Sequence, residues 1–168
     1  MVSVLFVCMG NICRSPLGEG IFRYLAVEAG LIEGFDGDFK CASAGIIGYH
    51  VGNSPDPRSQ LIAETVGIDI SNQRSQKVKL SDFEEFDYII AMDQDNLQNL
   101  QSLSPKNHLN KISLLLGHSI VTDKQEVPDP YYVGEQGFQD CLDLVTKGSE
   151  GLLGQIMKNH FPFKIAAI

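Results

Sequence analysis

Short apolar segments alternate along the chain with stretches of helical periodicity. The apolar segments are rich in β-branched and aromatic residues and are bounded by Gly, Asn or Pro, which is typical of buried strands. They cover residues 2–7, 39–44, 86–92 and 112–116. Between and after them, apolar positions three or four residues apart predict helices. These helices cover residues 16–29, 58–66, 96–103 and 136–158.

The same pattern predicts how these elements pack. Strands that are apolar on both faces and separated by helices are typical of a parallel sheet covered on both sides. We therefore expect an α/β fold with three layers, in which a four-stranded parallel sheet is flanked by helices. The chain has no internal repeat and no long linker, so residues 1–168 are predicted to form a single domain. No apolar run approaches the ~20 residues of a membrane-spanning helix.

Charge narrows the range of partners. The chain of 168 residues has 13 basic and 21 acidic residues, which gives a formal net charge of −8. A surface of this sign disfavours non-specific binding to nucleic acid or to an anionic membrane, so neither partner is expected. Any anion-binding site must therefore be local, built from backbone dipoles and a few cationic side chains.

The four cysteines indicate a reducing compartment. The N-terminus lacks the features of an export signal, so we expect reduced thiols and a cytoplasmic protein. No Cys-x-x-Cys pair or histidine cluster is present, so no metal site is expected. Dinucleotide and Walker motifs are absent as well, so no cofactor is expected. Cys41 and Cys141 are predicted to be core thiols.

The loop after the first strand combines residues that suit an anion. Cys8 ends the strand, Arg14 follows at a Cys-x5-Arg spacing, and Ser15 is predicted to cap the next helix. A loop that enters a helix N-terminus can direct backbone N–H groups inward and cradle a tetrahedral anion. Gly10 permits a tight turn, and Asn11 tolerates a positive φ. The guanidinium of Arg14 can bind two phosphate oxygens at once.

The position of Cys8 suits a nucleophile. Helix N-terminal dipoles and a nearby guanidinium favour a thiolate over a thiol. Ligands of open parallel sheets bind beyond the carboxyl ends of the strands, which is where Cys8 is predicted to lie. The motif therefore predicts a thiolate that faces a bound phosphate.

Five segments together match the motifs of a known family. Residues 4–16 read VLFVCMGNICRSP. The others follow in order as residues 41–45 (CASAG), 52–58 (GNSPDPR), 91–93 (AMD) and 127–132 (VPDPYY). From about residue 2 to residue 158 the chain resembles the low-molecular-weight protein tyrosine phosphatases, and the combination of CxGNxCRSP with DPYY is highly specific. The resemblance implies their flavodoxin-like phosphatase fold.

The resemblance implies catalytic roles for three side chains. Cys8 would attack phosphorus and form a cysteinyl-phosphate. Arg14, with the backbone N–H groups of residues 9–15, would hold the equatorial phosphate oxygens. Asp129 would protonate the leaving phenolate and then activate the water that hydrolyses the intermediate.

The resemblance also implies residues that bind the substrate or support the loop. The expected substrate-binding residues are Met9, Gly10, Asn11, Ile12, Cys13, Ser15, Tyr49, Tyr131 and Tyr132. Ser15 would hydrogen-bond the Cys8 thiolate, and Ser43 and Asp93 would belong to the supporting network. Many relatives have a His in this network, whereas this chain has Gln73, which can donate a hydrogen bond but cannot titrate.

The implied substrates are proteins that carry phosphotyrosine, and the implied product is inorganic phosphate. Relatives that dephosphorylate arginine have Thr where this chain has Ile12, so the resemblance favours the tyrosine-directed branch. Cys13 is similar to a family cysteine that forms a reversible disulfide with the nucleophile after oxidation, which implies a redox-sensitive site. The protein is expected to be a monomer or to self-associate weakly.

Three alternatives remain open at this point. An arsenate reductase on the same scaffold would need further cysteines, which residues 75–95 lack. A non-catalytic phosphate-binding module would not need a nucleophile, an arginine and an acid together. A cysteine-phosphorylated component of sugar transport would have no use for the Asp-Pro loop.

Overall fold

The computed structural model describes residues 1–165, which form a sheet with helices on both sides. The strands are β1 (Val2–Cys8), β2 (Phe39–Gly45), β3 (Tyr88–Ala91) and β4 (Ile112–Leu114). The helices are α1 (Arg14–Glu28), α2 (Pro57–Glu64), α3 (Asp82–Glu85), α4 (Gln94–Leu103), α5 (Glu135–His160) and α6 (Pro162–Ile165). Two 3₁₀ helices cover Lys106–Lys111 and Leu115–His118. Residues 166–168, the end of the predicted domain, lie outside the described residues.

The strands form one parallel sheet in the order β2-β1-β3-β4. This confirms the predicted α/β fold with a four-stranded parallel sheet. The chain passes from β1 to β2 on one side and continues with β3 on the other side, so the strand order reverses beside β1. Open α/β sheets bind ligands at such a reversal. Cys8, the last residue of β1, lies at this position.

Side chains of β1 alternate between two hydrophobic cores. Phe6 lies in a core that includes Leu17 of α1 and Leu152 of α5. Val7 lies in the opposite core, which includes Phe83 of α3. The sheet is therefore covered on both faces, which explains why its strands are apolar throughout.

The start of α1 differs from the sequence prediction. Cys13 occupies the N-cap position without a capping side-chain hydrogen bond, and α1 begins at Arg14. The predicted cap at Ser15 is therefore wrong. Ser15 lies inside the first turn and is fully buried, with its hydroxyl 3.1 Å from the sulfur of Cys8.

Two strands are shorter than predicted. The third begins two residues later than predicted, because Phe86 ends the short helix α3. The fourth ends earlier because Leu115–His118 turns into a 3₁₀ helix. Phe86 and Leu116 are nevertheless buried. Apolarity therefore locates the core in these segments but does not give the ends of the strands.

Helix α5 continues unbroken through four glycines, Gly137, Gly148, Gly151 and Gly154. A Cβ at Gly148 would lie 2.5 Å from Leu115, and one at Gly151 would lie 2.1 Å from the carbonyl oxygen of His118. These two glycines let the helix pack closely against the segment after β4. Among residues 1–165, no helix combines the length and the apolarity that crossing a bilayer requires.

Candidate active site

The loop from Cys8 to Ser15, here the Cys8 loop (residues 8–15), turns its carbonyl groups outward. Four of them accept hydrogen bonds from residues outside the loop; the pairs are Cys8 with Ile46, Met9 with Ile47, Gly10 with Ser75 and Ile12 with Asp56. Within residues 1–165, none of the N–H groups of residues 9–13 donates to a protein acceptor. These N–H groups are therefore available to an anion at the N-terminus of α1.

Asn11 holds the loop in this conformation. Its φ of 56° makes it the only non-glycine residue among 1–165 with a positive φ. Its Nδ2 donates to the hydroxyls of Ser15 and Ser43, both at 2.9 Å, and its Oδ1 accepts from the N–H of Gln76 at 2.8 Å. These bonds offset the cost of a left-handed backbone at a residue that has a Cβ.

The same network fixes the direction in which the hydroxyl groups donate. Ser43 donates to Glu19 Oε2 at 2.7 Å, so its oxygen accepts from Asn11. Ser15 also accepts from Asn11, which leaves its own hydrogen free for the Cys8 sulfur at 3.1 Å. The carbonyl of Ala44 is a longer alternative acceptor, at 3.4 Å. A hydroxyl donor at this position suits a sulfur that carries negative charge.

Arg14 lies at the base of the site with its guanidinium almost fully buried. Nη1 donates to the carboxylate of Asp93 and, at 3.0 Å, to the carbonyl of Val127. Nη2 lies 3.3 Å from Asp129 Oδ2. Burial alone would lower the pKa of Arg14, but the negative charges of Cys8, Asp93 and Asp129 raise it. The side chain is therefore a fixed cation.

Asp93 orients this cation from the end of β3. Its Oδ2 accepts from Arg14, and its Oδ1 accepts from the N–H of Asn96 at 2.7 Å as the N-cap of α4. One carboxylate thus links the guanidinium to the start of a helix. The structure brings this predicted supporting residue into direct contact with Arg14.

Asp129 lies in a second loop, here the Asp129 loop (residues 127–134), which enters α5. Its side chain is about half exposed, with 51% of its surface accessible. Oδ1 accepts from the N–H of Tyr131 at 3.1 Å, while Oδ2 faces Arg14. At the start of the loop, the N–H of Val127 donates to the carbonyl of Met92 at 2.8 Å. The carboxylate is therefore close to the Cys8 loop but reachable from solvent.

A pocket of about 430 Å³ joins the two loops. Its lining residues are Cys8, Met9, Gly10, Ile12, Cys13, Arg14, Ile47, Tyr49, His50, Asp129, Tyr131 and Tyr132. Tyr49 and Tyr132 are largely exposed at its rim, and the rings of Tyr131 and Tyr132 meet edge to face at 4.8 Å. Of the residues expected to bind substrate, Asn11 and Ser15 do not line the pocket, because they are buried behind the loop.

The cysteines differ in their surroundings. Cys13 lines the pocket, and its pKa is raised to about 12 by burial and by the negative charges of Asp56 and Cys8. Burial also raises the pKa values of Cys41 and Cys141, which lie in the hydrophobic core as predicted. Within residues 1–165, no group of three or more His, Cys, Asp or Glu side chains is arranged to hold a metal ion.

Several contacts of the site have no clear signal in the sequence. Gln73, which was expected to join the network around the Cys8 loop, does not hydrogen-bond Asn11. Its Nε2 donates instead to the carbonyl of Pro16, just after that loop, at 3.1 Å. Gln76 contacts the network instead, through its backbone to Asn11 and through Nε2 to the carbonyl of Ser43 at 3.0 Å. Glu19, Ile47 and His50 were not predicted either. The family resemblance pointed to this segment through Gln73, but it did not point to Gln76.

The fold and the pocket together define a class of protein. A cysteine at the end of a central parallel strand faces free amides, a buried arginine and a carboxylate. This arrangement of groups is typical of an enzyme that acts on phosphate esters through a cysteine nucleophile.

Comparisons with known proteins give the family. The model of the low molecular weight phosphotyrosine protein phosphatases matches residues 3–161. The low molecular weight protein-tyrosine-phosphatase YfkJ of Bacillus subtilis is 44% identical over 94% of this chain and 97% of its own length. The corresponding phosphatase of Schizosaccharomyces pombe is 39% identical over 92% of this chain and 97% of its own. A crystal structure of a protein tyrosine phosphatase from Entamoeba histolytica, with Hepes in the active site, has a TM-score of 0.89 and 35% identity, covering 94% of this chain and 98% of that one.

The chain belongs to the low molecular weight phosphotyrosine protein phosphatase family. The resemblance inferred from the motifs is confirmed, and so is the fold that it implies.

Proposed function

We propose that this protein hydrolyses phosphotyrosine in proteins, and small aryl phosphates, through a cysteinyl-phosphate intermediate. One observation carries the proposal: Cys8, Arg14 and Asp129 line the same pocket, and the loop around it has free N–H groups. Membership of the family supports the same reaction.

The reaction proceeds in two displacements. The Cys8 thiolate attacks phosphorus, and an S–P bond forms as the P–O ester bond breaks. Asp129 passes its proton to the departing phenolate oxygen. The resulting carboxylate then takes a proton from water, whose oxygen attacks phosphorus. The S–P bond breaks and releases inorganic phosphate, leaving the thiolate and the protonated acid. Arg14 and the loop amides hold the equatorial oxygens in both steps.

The depth of the pocket supports an aryl substrate. Tyr49, Tyr131 and Tyr132 stand at the rim, while the sulfur of Cys8 is buried at the base. We infer that a phenyl ring would span the distance from this rim to the sulfur, whereas the shorter stem of phosphoserine would leave its phosphate too far from the sulfur. Ile12 adds an aliphatic contact to the wall of the pocket.

We also propose that Cys13 protects the nucleophile against oxidation. Peroxide would oxidise the Cys8 thiolate to a sulfenic acid and be reduced to water. The Cys13 thiolate would then attack that sulfur, forming a disulfide and releasing hydroxide, and an external thiol would reverse the step. Both cysteines line one pocket, which supports the pairing. Peroxide followed by a thiol reductant should restore activity in the wild type, while Cys13→Ser should stay inactive.

We propose that residues 1–168 form a single domain that works in the cytoplasm as a monomer or with weak self-association. The continuous sheet and the two cores from β1 to α5 support one domain. The four free thiols support a reducing compartment.

Turnover of p-nitrophenyl phosphate in the presence of a chelator tests the proposed reaction. Cys8→Ser should abolish turnover, because an alcohol in this site is not ionised. With phenyl phosphate, whose leaving group is more basic, Asp129→Ala should lower kcat/KM by about 10²–10⁴-fold. Full activity of Cys8→Ser would refute the mechanism.

A further inference from the structure

Arg58, the second residue of α2, connects the two sides of the active site from outside the pocket. On one side it is bound by Asp56, whose carboxylate accepts from Arg58 N and Nε at 2.9 Å and from Nη2 at 2.8 Å. Asp56 in turn donates its N–H to the carbonyl of Ile12 in the Cys8 loop at 2.8 Å. The guanidinium is therefore fixed relative to the Cys8 loop.

On its other side, Arg58 holds the Asp129 loop. Nη1 donates to the carbonyl oxygen of Tyr131 at 2.9 Å. The guanidinium carbon also lies 5.1 Å from the ring centroid of Tyr131 and 4.6 Å from that of Phe138, at the start of α5. Both distances are within the range of a cation–π contact.

The contact with Tyr131 bears on the acid. The N–H of Tyr131 donates to Asp129 Oδ1 at 3.1 Å, while its carbonyl is held by Arg58. Fixing the carbonyl therefore fixes the residue whose N–H orients the carboxylate. Within residues 1–165, few other contacts hold this half-exposed side chain, since Oδ2 has only the 3.3 Å contact with Arg14.

We propose that Arg58 is a positioning residue for proton transfer by Asp129. It fixes the position of the Asp129 carboxylate relative to the Cys8 loop through the backbone of Tyr131. Arg58 does not itself line the pocket. The proposal rests on the proposed function, because it takes Asp129 to be the general acid.

The test separates proton transfer from binding by varying the leaving group. Phenolate is a stronger base than p-nitrophenolate, so phenyl phosphate depends more on the acid than p-nitrophenyl phosphate does. Arg58→Met should lower kcat/KM for phenyl phosphate by about 10–100-fold, with a much smaller fall for p-nitrophenyl phosphate. Arg58→Lys, which keeps the charge, should recover part of the loss. In an Asp129→Ala background, Arg58→Met should have little further effect.

Arg74→Met is the matched control, because Arg74 is exposed and, among residues 1–165, hydrogen-bonds only to the nearby carbonyls of Ser71 and Gln73. Arg74→Met should leave kcat/KM unchanged for both substrates. Equal losses for the two substrates in Arg58→Met, or an undiminished effect in the Asp129→Ala background, would overturn the positioning role. If Asp129→Ala itself showed no dependence on the leaving group, the proposed role of Asp129 would fail and this inference with it, whereas the two outcomes above overturn the positioning role alone. Thermal unfolding of each variant distinguishes these outcomes from a loss of fold.

Discussion

The two loops of the active site are held in different ways. The Cys8 loop is buried and bonded to its surroundings through four of its carbonyls and the side chain of Asn11. The Asp129 loop is exposed, and its acid is positioned by contacts with Arg14 and with the peptide of Tyr131. The fold therefore prepares the half of the site that we propose binds phosphate. The half that we propose transfers the proton depends on fewer contacts, and we expect the protein to stay folded when they are changed.

This difference makes opposite predictions for the two loops. A substitution that disturbs the Cys8 loop should lower kcat/KM to a similar extent for every substrate. It should also lower the free energy of unfolding, because the loop is part of the buried structure. Damage to the Asp129 loop should spare stability and affect mainly substrates with a basic leaving group.

Among changes that leave Cys8, Arg14 and Asp129 in place, the largest effect is expected at Asn11. Asn11→Ala removes three hydrogen bonds and leaves the hydroxyls of Ser15 and Ser43 without their donor. We expect kcat/KM to fall by roughly 10²-fold for phenyl and p-nitrophenyl phosphate alike, since misplaced amides no longer match the phosphate oxygens. The free energy of unfolding should fall by about 1–3 kcal/mol. Asn72→Ala, at an exposed position, is the control; a selective loss with one substrate would contradict the account.

A second effect concerns Cys13, which is buried in the Cys8 loop. Because its pKa is raised to about 12, the reactive thiolate is scarce at neutral pH and increases as pH rises toward that value. After peroxide treatment, disulfide formation with Cys8 should therefore accelerate about tenfold per pH unit between pH ~7 and ~9. Quenched-flow trapping of free thiols measures this rate. A rate independent of pH would show that Cys13 is not the attacking thiol.

The smallest effect is expected at the back of the Asp129 loop. A Cβ at Gly137 would lie 2.9 Å from the Cβ of Val133 and 3.5 Å from the Cα of Pro130, so Gly137→Ala should displace this loop. We expect a several-fold fall in kcat/KM for phenyl phosphate and almost none for p-nitrophenyl phosphate.

Gly154→Ala is the matched control in the same helix, because a Cβ at Gly154 meets nothing within 4 Å. It should raise helix stability by up to about 1 kcal/mol without changing activity. An equal loss of activity in both variants would mean that the Asp129 loop is not the cause.

The sequence predicts the Cys8 loop much better than the rest of the site. Its residues are contiguous, and a strand, a Gly-Asn turn and a helix follow one another within a few positions. Ser15 shows the limit of such local reasoning: a Ser before a Pro signals a helix cap, but burial beside Cys8 and Asn11 gave its hydroxyl a different partner.

The Asp129 loop could not be placed by local signals. Asp129 is 115 positions from Arg14, and only the family resemblance brought the two together. Arg58 and Gln76 contact the two loops across similarly long separations, of 73 and 65 positions. The parallel sheet was predictable because strands that are buried on both faces are apolar at nearly every position. These polar contacts depend instead on how loops that are distant in the sequence meet in the fold.

Acid-quenched mass spectrometry of the wild-type enzyme during turnover of p-nitrophenyl phosphate tests the central claim most directly. The account predicts phosphate on the peptide that contains Cys8, and none on that peptide from Cys8→Ser. Continued turnover with Cys8 unmodified, or phosphate on another residue, would contradict it.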